Sequence, residues 1–219
     1  MPSSLSYEQG STLTCAGLTA WNALYGSKPL APGDVVLTQG TGGVSIFAVQ
    51  FAKAAGATVI ATTSSTEKAE RLKQLGADHV INYKEVKDWG KEAKKLTPRG
   101  EGVDHVVEVG GPESIKQSFE AIKMGGVISV IGFVGGVEGG PGFLEPLMRI
   151  CTVRGILVGS RVQFEAMVSP YVSYPVAQYR AHGSISSQRS GHANIFKCAE
   201  PCHRCKSAQT RCGREKVQA

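Results

Sequence analysis

Residues 34–56, DVVLTQGTGGVSIFAVQFAKAAG, join an apolar strand to an amphipathic helix through a tight glycine turn. Gly40 permits the sharp change of direction, and Gly42 lets the backbone come close to a pyrophosphate because it has no Cβ. The amides of Gly43 and Val44 follow at the start of the helix, where unpaired N–H groups and the helix dipole favour an anion. The pattern predicts the phosphate-binding turn of a dinucleotide fold, and an ordinary glycine-rich loop is the alternative.

Strand and helix patterns alternate after this turn. The strand segments are short, nearly continuous apolar runs, which is typical of parallel strands covered on both faces. Helix patterns separate them, so we expect βαβ units with right-handed crossovers. The sequence therefore predicts an α/β fold, a doubly wound parallel six-stranded Rossmann sheet of order 3-2-1-4-5-6. The predicted strands are 35–39, 58–63, 79–82, 104–109, 127–132 and 153–158, and the predicted helices are 8–25, 43–55, 66–75, 86–96, 113–123 and 143–150.

Composition and charge divide the chain into three segments. Residues 1–33 are a helical lead-in, residues 34–167 are the predicted nucleotide-binding domain, and residues 168–219 are a basic tail rich in Cys and Ser that we expect to be disordered. Residues 1–167 carry 16 basic and 16 acidic side chains, so the whole net charge of +6 lies in the tail. A neutral domain gives no reason to expect nucleic acid as a partner.

Cysteine usage and the N-terminus bear on the compartment. No apolar run approaches the ~20 residues of a membrane span, and no basic stretch precedes an apolar one, so we expect a cytoplasmic protein with no membrane partner. In that compartment we expect Cys15 and Cys151 to be buried thiols. The tail holds a cluster whose spacing is not that of a paired zinc knuckle, so an unstructured segment is expected there rather than a zinc site or a weak nucleic-acid contact. The cluster comprises Cys198, Cys202, His203, Cys205 and Cys212.

The end of the second predicted strand indicates which dinucleotide would bind. A fold selective for NAD places Asp or Glu there, to accept from the ribose hydroxyls. Here the strand ends in Thr62, Thr63 and Ser64, and Lys68 follows one helical turn later. Hydroxyl donors and a cation without a carboxylate favour a 2′-phosphate, so we expect NADP(H) in preference to NAD(H). The alternative for Lys68 is an ordinary solvated lysine.

Further site residues follow from the topology. Ligands of open α/β sheets bind outside the carboxyl ends of the strands, where the strand order reverses. The first and fourth strands flank that point, which makes Gly110 a candidate beside the glycine turn. The fifth strand ends at Gly132 and Phe133, which are placed to line a nicotinamide. Tyr83 ends the third strand and either flanks the adenosine or packs at the sheet edge.

Several stretches together resemble the medium-chain dehydrogenase/reductase superfamily: LSYEQGSTLTCAGLTAWNAL, GDVVLTQGTGGVS, GATVIATTSSTEKAERLKQLGADHVINYKE, GVDHVVEVGGPESI and GGVISVIGFVGG. The resemblance covers residues 5–167 and is closest to the zinc-type alcohol-dehydrogenase-like and quinone-reductase-like members. It implies a pyrophosphate site at Gly40, Gly42, Gly43 and Val44, a 2′-phosphate site at Ser64 and Lys68, an adenosine contact by Tyr83, and a nicotinamide contact by Thr19.

The resemblance also implies an activity, hydride transfer between a nicotinamide and an alcohol, a carbonyl or a quinone. Members of the superfamily begin with a GroES-like β-barrel domain, which supplies most of the substrate pocket and any catalytic zinc ligands. We therefore expect residues 1–33 to lead in from a missing or truncated GroES-like domain, and an unrelated tail to replace the family's last helix and strands from Val168.

No catalytic residue can be assigned, because His79 and His105 both lie inside predicted strands. Because the family's substrate pocket comes largely from the barrel domain, we expect the isolated chain to be inactive. The alternative is a non-catalytic dinucleotide-binding module, or a truncated gene product that acts through a partner. The sequence leaves the oligomeric state open, a homodimer included.

Overall fold

The structure, a computed structural model, describes residues 5–173. Within this range, six strands form one parallel sheet of order β3-β2-β1-β4-β5-β6. This order confirms the predicted α/β fold with a doubly wound Rossmann sheet. The strands are β1 (Val35–Gln39), β2 (Thr58–Thr63), β3 (His79–Asn82), β4 (Val103–Glu108), β5 (Ile122–Val130) and β6 (Thr152–Gly155).

Helices cover both faces of this sheet. They are α1 (Tyr7–Thr12), α2 (Leu18–Tyr25), α3 (Gly43–Ala54), α4 (Thr66–Gln74), α5 (Trp89–Lys95), α6 (Pro112–Ala121), α7 (Glu145–Arg149) and α8 (Arg161–Ser173). Successive strand residues face opposite sides, so one strand serves two cores. Val36 of β1 packs in the core with Leu24 and Phe47, whereas Leu37 packs in the other core with Phe119.

The predicted helix over residues 8–25 is interrupted. A π-helical segment, Leu13–Gly17, joins α1 to α2. Cys15 lies in this segment and is exposed, and Cys151 is only half-buried, so the prediction that both are buried thiols is wrong. Burial raises the pKa of the Cys151 thiol. Because π-helical turns are wider than α-helical turns, the segment changes which side chains face the domain, and a strict 3.6-residue period does not anticipate it.

β5 begins at Ile122, five residues before the predicted start at 127, and α6 ends at Ala121. Ile122 pairs with Val103, and the register then shifts before Val127 pairs with His105. Residues 123–126 form this irregularity, and Gly125 supplies its positive φ of 74°. The predicted strand start therefore falls after the irregular part of the observed strand.

α8 crosses the boundary predicted between residues 167 and 168. A capping box starts the helix, since the Ser160 N–H donates to Gln163 Oε1 at 2.8 Å and the Gln163 N–H donates to Ser160 Oγ at 3.2 Å. Met167 of α8 is fully buried in the core that also contains Leu13 and Phe47. The helix therefore extends past residue 167 to Ser173, and the predicted cysteine cluster of the tail lies outside the described residues.

The amino-terminal edge of the central strands carries a group of charged side chains. Asp104 is nearly buried, and it accepts from Lys123 Nζ at 2.7 Å, from the Val35 N–H at 3.0 Å and from Lys28 Nζ at 3.3 Å. Burial alone would raise the pKa of Asp104, but these donors outweigh it and hold that pKa below its usual value. Asp104 thus links β4 to β1 through Val35 and to β5 through Lys123.

His105 lies beside this group on β4 and is 1% exposed. Within residues 5–173, neither ring nitrogen makes a hydrogen bond, and Nε2 is 3.7 Å from Asp34 Oδ2. Burial lowers the pKa of His105, and the nearby Asp34 carboxylate opposes that shift only in part. His105 is therefore a neutral core side chain near pH 7, in keeping with its predicted place inside a strand.

Candidate functional site

The glycine turn between β1 and α3 has three glycines in three different environments. Gly40 has a φ of +73°, and its N–H donates to the Thr62 carbonyl at 2.8 Å. Gly42 is the N-cap of α3, and a Cβ placed there would meet no atom within 4 Å. A Cβ on Gly43 would lie 3.2 Å from the Cβ of Ala16. The turn is therefore open above Gly42 and closed at Gly43 by the π-helical segment.

Among the described residues, no side chain caps α3 with a hydrogen bond. By contrast, Ser6 caps α1 and Ser65 caps α4 through their hydroxyls. An uncapped helix N-terminus leaves backbone N–H groups that need an acceptor, and the helix dipole favours an anion there. The space that a Cβ would fill at Gly42 is therefore suited to a phosphate group.

Ser45 occupies the third position of the turn, where such turns usually carry Gly or Ala. Its side chain is buried, and its hydroxyl donates to the Gln39 carbonyl at 2.6 Å. The hydroxyl thus joins the first turn of α3 to the last residue of β1. The departure from the usual residue preserves close helix–strand packing and adds a hydrogen bond.

The carboxyl end of β2 lies beside the turn, because Gln39 pairs with Thr62. The described residues place no carboxylate at this strand end, where Thr62 and Thr63 are buried and Ser64 is half-buried. Ser65, next to the predicted Ser64, caps α4 by accepting from the Lys68 N–H at 3.4 Å. The Lys68 side chain is exposed and makes no ion pair within residues 5–169, so its ammonium is available to a ligand.

Tyr83 follows β3 at the same edge. Its N–H donates to the Thr63 carbonyl at 3.0 Å, and its side chain is 41% exposed. The ring is therefore accessible rather than part of the core. Of the two alternatives for Tyr83, the accessible position is the one that a ligand contact requires.

A buried polar network, which sequence reasoning missed, holds Gly110 at the end of β4. Glu108 is fully buried and accepts from the N–H groups of Gly110 at 2.9 Å and Gly111 at 3.1 Å. Gln39 donates to the same carboxylate at 2.7 Å and accepts from the Gly110 N–H at 3.2 Å. The ends of β1 and β4 are therefore linked through side chains at the point where the strand order reverses.

Thr19 lies in α2 and is 4% exposed. Its hydroxyl donates to the Cys15 carbonyl at 2.7 Å, across the π-helical segment. The hydroxyl proton is therefore already used within the helix. Towards a nicotinamide, the Thr19 hydroxyl could therefore act only as a hydrogen-bond acceptor.

Gly132 and Phe133 follow β5. A Cβ on Gly132 would lie 2.8 Å from the Val109 carbonyl oxygen, so glycine permits close contact between the two strand ends. Phe133 is 68% exposed. Both residues line a mainly apolar cavity of about 400 Å³, together with Ile115 and Phe143. This cavity adjoins the carboxyl edge and could hold a flat, weakly polar ring.

The fold brings most predicted site residues to one edge of the sheet. Each follows a parallel strand, and the carboxyl ends of parallel strands lie on the same side. Thr19 comes instead from the helical lead-in, which packs beside α3. The residues at the carboxyl edge are Gly40, Gly42, Gly43, Val44, Ser64, Lys68, Tyr83, Gly110, Gly132 and Phe133.

The described residues contain neither a cluster of metal-ligating side chains nor a helix able to span a membrane. Between residues 5 and 169, no three His, Cys, Asp or Glu side chains come together in an arrangement that could hold a metal ion. None of the described helices has the length and apolar character needed to cross a membrane.

Comparison with known proteins identifies relatives of this fold. The family model described as zinc-binding dehydrogenase matches residues 43–173. A zinc-type alcohol dehydrogenase-like protein of Schizosaccharomyces pombe is 48% identical over 174 residues, which is 77% of this chain and 50% of that protein. The chain thus spans about half the length of this curated relative.

Solved structures of dehydrogenases and reductases also match this chain. An NAD-dependent alcohol dehydrogenase matches with a TM-score of 0.70 and 35% identity, over 80% of this chain and 50% of the other. Escherichia coli quinone oxidoreductase complexed with NADPH matches with a TM-score of 0.71 and 25% identity, over 80% of this chain and 55% of the other. The relatives therefore include proteins described with each of the two nicotinamide dinucleotides.

Proposed function

Since this chain belongs to the zinc-binding dehydrogenase family, we propose that it binds NADP(H) along the carboxyl edge of its sheet, in an oxidoreductase that transfers hydride between the nicotinamide and an alcohol, a carbonyl or a quinone. One observation carries the proposal. The N-terminus of α3 has no side-chain cap and opens onto free space above Gly42, beside a β2 end without a carboxylate. That combination suits a pyrophosphate flanked by a phosphorylated ribose.

The residues of the turn would bind the cofactor through their backbone. The amides of Gly43 and Val44 would donate to the pyrophosphate, and Gly42 would let it approach. Gly110, Gly132 and Phe133 would flank the nicotinamide half. When bound, the nicotinamide supplies the hydride chemistry itself, and the protein contributes position and exclusion of water.

The preference for NADP(H) over NAD(H) rests on charge at the end of β2. A 2′-phosphate is a strong acceptor, and Lys68, about one helical turn from Ser64, offers an ammonium that makes no ion pair within residues 5–169. An NAD-selective site would offer a carboxylate instead, which would repel the phosphate. Tyr83 would lie against the adenosine from β3.

The zinc in the family's description does not fit the described residues. Residues 5–169 bring no three metal-ligating side chains together, so the exposed Cys15 is not part of such a group. Any zinc of the complete enzyme would need ligands from outside this region. The proposed role of the described residues is cofactor binding.

The activity of the complete protein would need a substrate pocket, which we propose comes from a GroES-like barrel domain. A non-catalytic dinucleotide-binding module is the second candidate function, and the absence of any assignable proton donor among the described residues favours it for the chain by itself. We also propose a cytoplasmic location and a homodimer. The dimer is supported by apolar side chains exposed around the edge strand β6, namely Leu147, Met148, Ile150 and Leu157.

Titration of the full chain with NADPH and NADH tests the proposal. We expect Lys68→Ala to weaken NADPH binding by about 1–2 kcal/mol and to leave NADH binding nearly unchanged, because only NADPH has the 2′-phosphate. Lys73→Ala is the matched control, since Lys73 lies at the other end of α4 and pairs with Glu70. Equal losses for the two cofactors would exclude a 2′-phosphate contact, and no binding of either cofactor to the wild type would exclude the function.

A further inference from the structure

Two helices follow glycines at the point where the strand order reverses. α3 follows β1 and the turn at Gly42, and α6 follows β4 and Gly111. Both N-termini are therefore suited by position and dipole to an anion. They differ in their surroundings, because the space above Gly42 is open, whereas Gly111, the N-cap of α6, donates its N–H to the carboxylate of Glu108.

Donors surround the Glu108 carboxylate on all sides. Oε1 accepts from the Gly110 and Gly111 N–H groups and from the Ser114 hydroxyl. Oε2 accepts from Gln39 Nε2 at 2.7 Å and from the Ser118 hydroxyl at 2.5 Å. A fully buried carboxylate would be costly without such partners. The shell resembles one that a protein builds around a bound anion, except that this anion belongs to the chain.

Gln39 extends the network to the open helix. Its Oε1 accepts from the Val109 N–H at 3.1 Å and the Gly110 N–H at 3.2 Å, while its Nε2 donates to Glu108. The carbonyl of Gln39 accepts from Ser45 in the first turn of α3. One chain of hydrogen bonds therefore runs from the filled helix N-terminus to the open one.

We propose that Glu108 is a positioning residue for the dinucleotide. Its carboxylate takes the place of a ligand anion at the N-terminus of α6 and fixes residues 109–111 in the shape that flanks the nicotinamide half. It also leaves α3 as the member of this helix pair that a pyrophosphate can enter. This role rests on the proposed function, since it requires a dinucleotide at the carboxyl edge.

The geometry also predicts a rescue. Gln39 and Glu108 face each other through one N–H···O contact, so exchanging them, Gln39→Glu with Glu108→Gln, keeps an amide opposite a carboxylate. The carboxylate introduced at position 39 would still accept from residues 109 and 110 through one oxygen. The amide introduced at position 108 would still accept from Gly110 and Gly111 through its carbonyl. Glu108→Gln alone instead places two amide NH₂ groups against each other.

The experiment measures affinity for NADPH and for adenosine 2′,5′-bisphosphate by calorimetry on the full chain. The bisphosphate carries the adenosine half of the cofactor and cannot reach residues 109–111. We expect Glu108→Ala to weaken NADPH about tenfold, because its donors lose their acceptor, and to leave the bisphosphate unchanged. The matched control is Glu113→Ala, which removes an exposed carboxylate from the first turn of α6. Acetate should restore NADPH affinity to Glu108→Ala, and acetamide should not.

If circular dichroism shows that Glu108→Ala does not fold, two other variants test the role. Glu108→Gln should lose NADPH affinity, and the exchanged pair, Gln39→Glu with Glu108→Gln, should regain it. Unchanged NADPH affinity in a folded Glu108 variant would overturn the role. So would an equal loss for both ligands, or an exchanged pair that is no better than Glu108→Gln. A wild type that binds neither ligand would contradict the proposed function itself, which separates the two failures.

Discussion

At the residue scale, the three glycines of the β1–α3 turn are required for different physical reasons. Gly40 is needed for its positive φ, and Gly43 for its closeness to Ala16. Gly42 has a φ of −71°, which any residue can adopt, and space around it. The folded domain by itself therefore gives no reason for glycine at position 42, so the reason is expected to be a ligand.

This difference yields a paired test. Gly42→Val should abolish cofactor binding while leaving the free energy of unfolding nearly unchanged, because its side chain enters only the open space. Gly40→Ala should instead cost about 1–2 kcal/mol of stability, since it forces a side chain into the left-handed region. Urea denaturation and NADPH titration of both variants would check this. A folded Gly42→Val chain that still binds NADPH would refute the phosphate-turn assignment.

Individual side chains were predictable where one local rule places them. The glycine turn, the missing carboxylate after β2 and the sheet-edge position of Gly110 follow from spacing and topology. Glu108 and Gln39 were not found, because their partners are set by the fold. The partners of Gln39 lie 69 or more residues away, and Glu108 accepts from N–H groups in the turn that follows its own strand. A charged residue inside a run such as DHVVEV is the signal that could have indicated the network.

At the scale of secondary-structure elements, the strands were predicted more closely than the helices. β1, β2 and β3 have the predicted bounds, because each is a short apolar run between turn residues. The π-helical segment, the irregular start of β5 and the helix α8 were missed. Each depends on tertiary packing that hydrophobic periodicity does not contain, and α8 in particular is anchored by the burial of Met167.

α8 gives a prediction about stability. Met167→Ala should lower the free energy of unfolding by about 2–5 kcal/mol, because it leaves a cavity beside Gly17 and Phe47. Met124→Ala, at a position 70% exposed in β5, should change it little. Urea denaturation would compare the two. Equal, small effects would mean that α8 does not belong to the cooperative domain.

β4 gives a prediction about pH. Because burial lowers the pKa of His105 in the folded chain, the unfolded chain binds its proton more readily. The contribution of His105 to the free energy of unfolding should therefore be fully present above its unfolded pKa of 6.5, and it should fall as the pH drops below that value. The pKa of Asp104 is also lowered, so its contribution is lost only at still lower pH, below the ordinary carboxyl range.

His105→Leu should flatten the decline of stability between about pH 7.5 and 5.5, because it removes the ring that binds the proton. The substitution should be tolerated, since the ring nitrogens have no hydrogen bond to lose within the described structure. Denaturation curves at the two pH values measure this, with His79→Gln on the half-exposed strand β3 as the control. A decline in His105→Leu as steep as in the wild type would assign the acid sensitivity to other groups.

At the scale of the whole molecule, binding and turnover should separate. The full chain should bind NADPH yet show negligible oxidation of alcohols or reduction of aldehydes, ketones and quinones, because we propose that the wall of the substrate pocket comes from a barrel domain. NADPH absorbance would follow the reaction, and adding a barrel domain from a relative should restore some turnover. Robust turnover by the chain alone, lost in Gly42→Val, would show that it carries its own active site.

The parallel sheet also separates the two ends of its strands. Every proposed ligand contact from a strand lies at the carboxyl edge, whereas Asp104 and His105 lie toward the amino edge. The two edges are about 16 Å apart along the five residues of β1. Changes so far apart usually combine additively. An engineer could therefore retune the acid tolerance of this protein at one edge and its choice of nucleotide at the other, as two independent problems.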